Sequence, residues 1–219
     1  TNVRARASLA TLLALEGKLE DAVRQLEALP SGRIPDPRVV LPLASLYNRS
    51  RQFDKSIAIM SAATKIFPRS PEAHYLLGEA YLAQGKYAPA QGAFQEALSL
   101  APKSPLVRFR MAQVLTGMGR PKEALEHLKE VEKAAPNFPD LRLQLASTFL
   151  RLGRTQDALR EAQTALTADP KTMEIPVVLI TAMTNREALL KGWEAGADEY
   201  LYKPFHPMEL LTRTRSLLS

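Results

Sequence analysis

The side chains most able to do chemistry in this 219-residue sequence are few and scattered. Its three histidines, His74, His127 and His206, lie far apart, and no His-x-x-x-His or comparable ligand spacing joins them. His74 falls where its surroundings call for bulky core packing, and His206, just before Pro207, reads as a stand-in helix N-cap. There is no cysteine, which removes thiol nucleophiles, disulfides and cysteine-based zinc sites. Glu16/Glu20 and Glu126/Glu130 stand four residues apart, which puts each pair on one solvated helix face rather than in a buried acid–base dyad. The glycines form no Gly-x-Gly-x-x-Gly or Walker pattern. No catalytic residue, metal or cofactor is expected, and the chain reads as a protein that is not an enzyme.

A chain without catalytic groups acts through its surfaces, and a repeat builds the surfaces here. Between Pro71 and Pro102 two helix-period patterns lie side by side, separated by Gly85-Lys86. The small residues Gly78 and Ala90 permit two helices to approach closely in a hairpin. The stretch recurs every 34 residues. One small position reads Ala10, Ala44, Gly78, Ala112, Ala146, and the other Ala22, Ser56, Ala90, Ala124, Ala158. Large apolar residues flank the first set: Leu9, Leu43, Leu77, Met111 and Leu145 before it, then Leu13, Tyr47, Tyr81, Leu115 and Phe149 after it. The turn position reads Gly17, Arg51, Gly85, Gly119, Gly153, and the closing position Ile34, Pro68, Pro102, Pro136, Pro170. Arg51 in place of a turn glycine predicts a distorted turn, and Leu29-Pro30-Ser31-Gly32 predicts an early end to the first repeat's second helix.

This pattern resembles the tetratricopeptide repeat over residues 3–172, with repeats near 3–36, 37–70, 71–104, 105–138 and 139–172. The resemblance implies a mostly α fold, a right-handed superhelix of helix pairs with a concave inner face. By repeat register that face includes Leu41, Asn48 and Arg49, then Tyr75, Glu79 and Leu82, then Phe109 and Gln113, and finally Leu143 and Arg151. Ser45, Thr116, Ser147 and Leu150 fall on it as well. An apolar middle with scattered polar groups suits a helix or an extended peptide. The positions at which some family members clamp a C-terminal carboxylate read Thr11, Ser45, Glu79, Gln113 and Ser147, which does not support such a clamp.

At Glu174 the pattern changes. Ile175–Thr181 is a short apolar β-branched run, and Asp198–Tyr202 is a second strand pattern. Between them Thr184-Asn-Arg-Glu187 has capping-box spacing and opens a helix through Leu189, Leu190 and Trp193, stopped at Gly196. A last amphipathic helix carries Leu210, Leu211, Leu217 and Leu218. The motifs Ile-Pro-Val-Val-Leu-Ile-Thr-Ala, Glu-Ala-Gly-Ala-Asp-Glu-Tyr-Leu and Lys-Pro-Phe resemble the second half of a response-regulator receiver domain, so residues 173–219 are expected to be a partial α/β (β-α-β-α) segment. By that resemblance Thr181 matches the switch hydroxyl, Tyr200 the reporting aromatic, and Lys203 the lysine that pairs with phosphoryl oxygens. The acidic pair and the phosphoacceptor aspartate of the family have no matching strands in this chain, so phosphotransfer by the chain alone is not expected. Two strands leave edges and a sheet face open, and something must cover them: the last repeat, a second copy, or a receiver half on another chain or upstream.

The formal charge of +6 invites a nucleic-acid reading. Its excess falls in residues 1–172, where bases are interspersed with acids and form no like-charge run, which reads as a solvated helical surface rather than a nucleic-acid site. No apolar run approaches the roughly 18–20 residues of a membrane span. The first residues lack a Met and a signal-peptide core, so the sequence reads as a fragment. The expected function is a non-enzymatic protein–protein interaction scaffold in the cytoplasm, holding a peptide or partner protein in the concave groove, with a link to two-component signalling. The alternatives are a signalling component completed by another chain or by a second copy paired through 173–219, and a truncated or fused chain without independent activity.

Overall fold

The computed structural model describes residues 3–29, 36–168, 178–181, 199–202, 204, 208–210 and 212–213. The chain divides into two compact units, residues 1–120 and residues 121–219. The first holds α1 (Val3–Leu15), α2 (Leu19–Glu27), α3 (Pro37–Arg49), α4 (Phe53–Ile66), α5 (Pro71–Ala83), α6 (Tyr87–Leu100) and α7 (Pro105–Gly117). The second holds α8 (Pro121–Ala134), α9 (Leu141–Arg151), α10 (Thr155–Ala168) and two strands, β1 (Val178–Thr181) and β2 (Glu199–Tyr202). The fold is mostly helical and of the tetratricopeptide-repeat kind.

Local chemistry sets the helix boundaries at 34-residue intervals. Asp36, Ser70 and Ser104 are N-caps whose side chains accept from the backbone N–H of Arg38, Ala73 and Val107, and Pro37, Pro71 and Pro105 follow them at the first helical position. One period on, Phe138-Pro139 lacks a capping side chain, and α9 starts only at Leu141, after Asp140 has adopted a left-handed conformation (φ 58°). At the other end of the first helices Gly17, Gly85, Gly119 and Gly153 take φ between 70° and 79°. The N–H that follows each glycine reaches back into the helix: Lys18 to Leu13 O (2.9 Å), Lys86 to Tyr81 O (2.9 Å), Arg120 to Leu115 O (2.8 Å) and Arg154 to Phe149 O (2.9 Å). This is the Schellman closure. Arg51 does not distort its turn. It adopts the same left-handed conformation (φ 61°), and Gln52 N–H donates to Tyr47 O at 2.8 Å as in the other turns.

In the first unit the apolar stripes merge into continuous packing. One cluster joins α1, α2 and α3 through Ala14, Val23, Leu26, Leu43, Leu46 and Tyr47; the next joins α3 to α6 through Val40, Met60, Ala63, Leu76, Leu77 and Ala93. The small positions are where helices touch. Ala10, Ala22, Ala44, Ser56 and Ala90 are all buried, and the Ser56 hydroxyl donates to Ala44 O at 3.4 Å across the α3–α4 pair. Gly78 packs so tightly that a Cβ there would meet the Phe94 ring at 2.7 Å, and Phe94 is wholly buried.

In the second unit Arg142 Nη1 bridges Glu132 of α8 (2.6 Å) and Glu161 of α10 (2.8 Å), tying three successive helices together. Leu128, Val131, Leu141, Leu145 and Phe149 of the same helices are buried. β1 and β2 pair in parallel, from Val178 opposite Glu199 to Thr181 opposite Tyr202. Met208–Leu210 are helical, and Arg213 Nη1 reaches Glu199 Oε1 of β2 at 2.8 Å. The expected break at Pro30–Gly32, the helix through Leu189, Leu190 and Trp193, the stop at Gly196, and Leu211, Leu217 and Leu218 lie outside the described residues.

The exposed Arg51 side chain makes no ion pair among the described residues, so Arg51→Gly relieves a strained φ without losing a contact. It should stabilise the chain by about 0.5–1 kcal/mol, read as a higher denaturation midpoint with unchanged slope. Gly78→Ala pushes a methyl into a ring that cannot retreat and should cost about 1–3 kcal/mol, while Gly92→Ala, on an open helix surface, should be neutral or mildly stabilising. Equal melting temperatures for the two alanine variants would contradict the close packing of α5 on α6.

Candidate interaction face

The register-predicted inner face of the first unit holds a polar cluster between α5 and α7. The Tyr75 hydroxyl donates to Glu79 Oε1 at 2.7 Å, and Arg110 donates to the same oxygen from Nε (2.9 Å) and Nη2 (2.8 Å). Arg110 also donates to the Tyr75 oxygen (3.4 Å) and, through Nη1, to Gln113 Oε1 (3.0 Å). Tyr75 stands at helical i,i+4 spacing from Glu79, and Arg110 at i,i+3 from Gln113, so each helix presents its pair on one face. The Tyr75 ring rests on Phe94 with centroids 5.9 Å apart, which fixes the hydroxyl's position. Burial, and then the bond to Glu79 and its charge, raise the Tyr75 pKa above the ordinary tyrosine range. Burial works against the charge of Arg110, but Tyr75 and Glu79 outweigh it and its pKa is raised. The guanidinium therefore stays charged, half-buried and held in a fixed geometry, with 32% of the side chain still open to solvent.

The other predicted positions divide into three kinds. Asn48 and Arg49 tie repeats together: Asn48 Nδ2 donates to Leu76 O (3.0 Å) and Arg49 Nη2 to Ala14 O (3.0 Å) at the end of α1, where a cation also meets the negative helix terminus. Leu41 and Leu82 are half-buried, Leu41 one repeat before Tyr75 in register and Leu82 two helical turns after it on α5. Phe109 is a correction. Register assigns it to the groove, but it is 4% exposed and belongs to the packed core, since its place on α7 faces neighbouring helices. Thr116 is likewise buried, its hydroxyl donating to Ala112 O at 2.8 Å.

In the second unit Leu143, Ser147, Leu150 and Arg151 make an exposed stripe along α9, and Leu143 and Leu150 are each 55% open. The backbones of Thr181 and Tyr200 lie in the paired strands, and Lys203 lies outside the described residues. His74 is not a core residue: it is partly exposed, and its Nε2 lies 3.1 Å from Pro68 O. His206 lies outside the described residues. Glu16 and Glu130 are exposed and pair with Lys18 and Lys133, each at 2.8 Å, as solvated faces do. Among the described residues no three His, Asp or Glu side chains gather as metal ligands, and no helix is long and apolar enough to cross a membrane.

Arg110 escaped the sequence reading. Its column at the 34-residue period reads Ser8, Pro42, Leu76, Arg110 and Gln144, a mixture of polar and apolar residues, so spacing alone carried no signal for it.

Profiles of known families cover much of the repeat region. That of the tetratricopeptide repeat matches residues 3–28 and 115–175, and that of the anaphase-promoting complex, cyclosome, subunit 3 matches residues 49–131. Among solved structures, MamA of AMB-1 superposes with a TM-score of 0.65 at 23% identity, covering 76% of this chain and 98% of its own. TTC0263, a thermophilic repeat protein of Thermus thermophilus, gives 0.66 at 20% identity over 78% and 94%. These likenesses concern the fold. Separately, a stretch of 53 residues is 43% identical to the DNA-binding dual master transcriptional regulator RpaA of a Synechocystis strain, covering 24% of this chain and 22% of that one. The phosphate regulon regulatory protein PhoB of Escherichia coli K12 is 42% identical over 53 residues, 24% and 23% of the two chains. The match thus spans less than a quarter of either regulator. With its 34-residue register, repeated caps and turns, and these profile matches, the chain carries tetratricopeptide-like repeats and, separately, a short stretch of similarity to receiver-domain regulators.

Proposed function

We propose that the chain is a non-enzymatic scaffold that holds a peptide or partner protein on the inner face of its repeats. One observation carries this reading: Tyr75, Glu79, Arg110 and Gln113 form a held, half-buried polar cluster on the register-predicted inner face. Tyrosine and arginine fixed in place at low entropic cost are the residue types that dominate binding energy at protein interfaces. Leu41 and Leu82 supply apolar surface beside it, and Leu143, Leu150 and Arg151 give the second unit a comparable stripe.

A second reading rests on the receiver-like similarity. The matches to regulators and the parallel β1–β2 pairing support a signalling role in which another chain, or a second copy joined through residues 173–219, completes the receiver-like segment. In that arrangement Thr181, Tyr200 and Lys203 would act as switch positions only in the completed form, and the cytoplasm is the compartment that goes with it. The domain boundary near residue 172 belongs to this reading too.

Peptides selected from a random library against the wild-type chain test the first reading. Arg110→Ala and Tyr75→Ala should each weaken the selected peptides about tenfold or more while the helical signal persists. Phe109→Ala should instead lower stability by about 3–5 kcal/mol, because it empties a core position. Undiminished peptide affinity in both the Arg110 and Tyr75 variants would remove the inner-face assignment. Solution mass by sedimentation across a concentration series tests self-pairing: a rise toward twice the monomer mass supports the second-copy form of the signalling reading, and a constant monomer removes it.

A further inference from the structure

Away from the inner face, the second unit has an open cleft of about 370 Å³ lined by Lys122, Leu125, Glu126, Lys129, Leu152 and Arg154. Four of these are on α8, where Lys122, Leu125, Glu126 and Lys129 follow i, i+3, i+4, i+7 spacing and so form one stripe. The other two come from the turn between α9 and α10, whose shape is set by Gly153 at φ 72° and the Arg154 N–H to Phe149 O bond. The charges here are unequal in kind. Arg154 is occupied: it pairs with Asp157 at 2.6 Å and lies over the Phe149 ring, 4.6 Å from its centroid. Among the described residues Lys122 and Lys129 have no ion-pair partner, although Glu126 lies between them on the stripe. The floor between the two lysines is aliphatic, with Leu125 buried and Leu152 half-buried.

From this arrangement we infer a second interaction surface that takes an acidic amphipathic helix of a partner protein. Two ammonium groups seven residues apart on one helix stand about 10 Å apart along its axis, two helical turns. A partner helix lying alongside α8 meets both with carboxylates two turns apart and sets an aliphatic side chain between them, onto Leu125 and Leu152. Charge complementarity selects the occupant: the two lysines seek carboxylates set two turns apart, and the leucine floor between them takes the apolar side chain that an amphipathic helix supplies and a phosphate backbone lacks. This surface shares no residue with the inner face, so it stands whether or not that reading holds.

The probe is a labelled helical peptide with two glutamates two turns apart flanking leucine, and a control with both glutamates replaced by glutamine. Anisotropy titration against the full chain should show binding of the glutamate peptide that weakens about tenfold in K122E/K129E, and more than threefold between low and physiological salt. Both lysines are exposed, so the variant should keep the wild-type melting temperature. Lys122→Arg with Lys129→Arg should retain binding. Absence of binding, equal binding of the glutamine control, or indifference to K122E/K129E would each overturn the inference. Displacement by a single-stranded oligonucleotide that binds more tightly than the peptide would overturn it in favour of nucleic acid.

Discussion

The helices of residues 3–168 carry more apolar surface than a single partner helix can cover, and that constraint organises the molecule. That surface is covered only when helices approach until small residues touch, as where Gly78 leaves room for the Phe94 ring and Ser56 reaches Ala44 O. Burying a side chain such as Phe94 contributes about 1.5–3 kcal/mol, so a handful of such positions per helix pair outweighs the weak intrinsic helicity of segments only nine to fourteen residues long. Caps and left-handed turns then decide where each helix stops, leaving packing to decide where it lies.

The polar clusters follow from the same geometry. Helices held this close bring residues far apart in sequence within hydrogen-bonding reach, so Arg110 meets Glu79 thirty-one residues away and Arg142 reaches Glu161 nineteen away. The first cluster faces a register expected to be open and retains partial exposure. The second has Glu161 only 12% open and is better understood as an internal tie. Chemistry does not separate them, and neither does exposure, since Arg110 and Arg142 are similarly open; what differs is that the first lies on the register-predicted inner face while the second joins three successive helices.

Much of this was legible in the sequence. The small positions, the turn glycines and the paired helices are short-range patterns, and each recurs because it solves the same local problem. Arg51 shows where pattern reading stops: a residue without glycine's freedom should distort the turn, yet the Gln52–Tyr47 hydrogen bond and the surrounding packing hold the left-handed conformation. Phe109 shows a second limit. Register places it on an inner face, but register is blind to whether neighbouring helices close over a position, and here they do. Arg110, Lys122 and Lys129 became informative only through what surrounds them in space, which no spacing rule reports.

The left-handed turns have one more consequence. Because Gly17, Gly85, Gly119, Gly153 and Arg51 close their helices by bonds that span only a few residues, each hairpin is defined before any distant contact forms. Chain-closure entropy is then small at every step, and structure can grow hairpin by hairpin from whichever one forms first. On a ribosome that means the amino-terminal pairs can be in place while later ones are still being made, with each new pair supplied a ready template by the one before it.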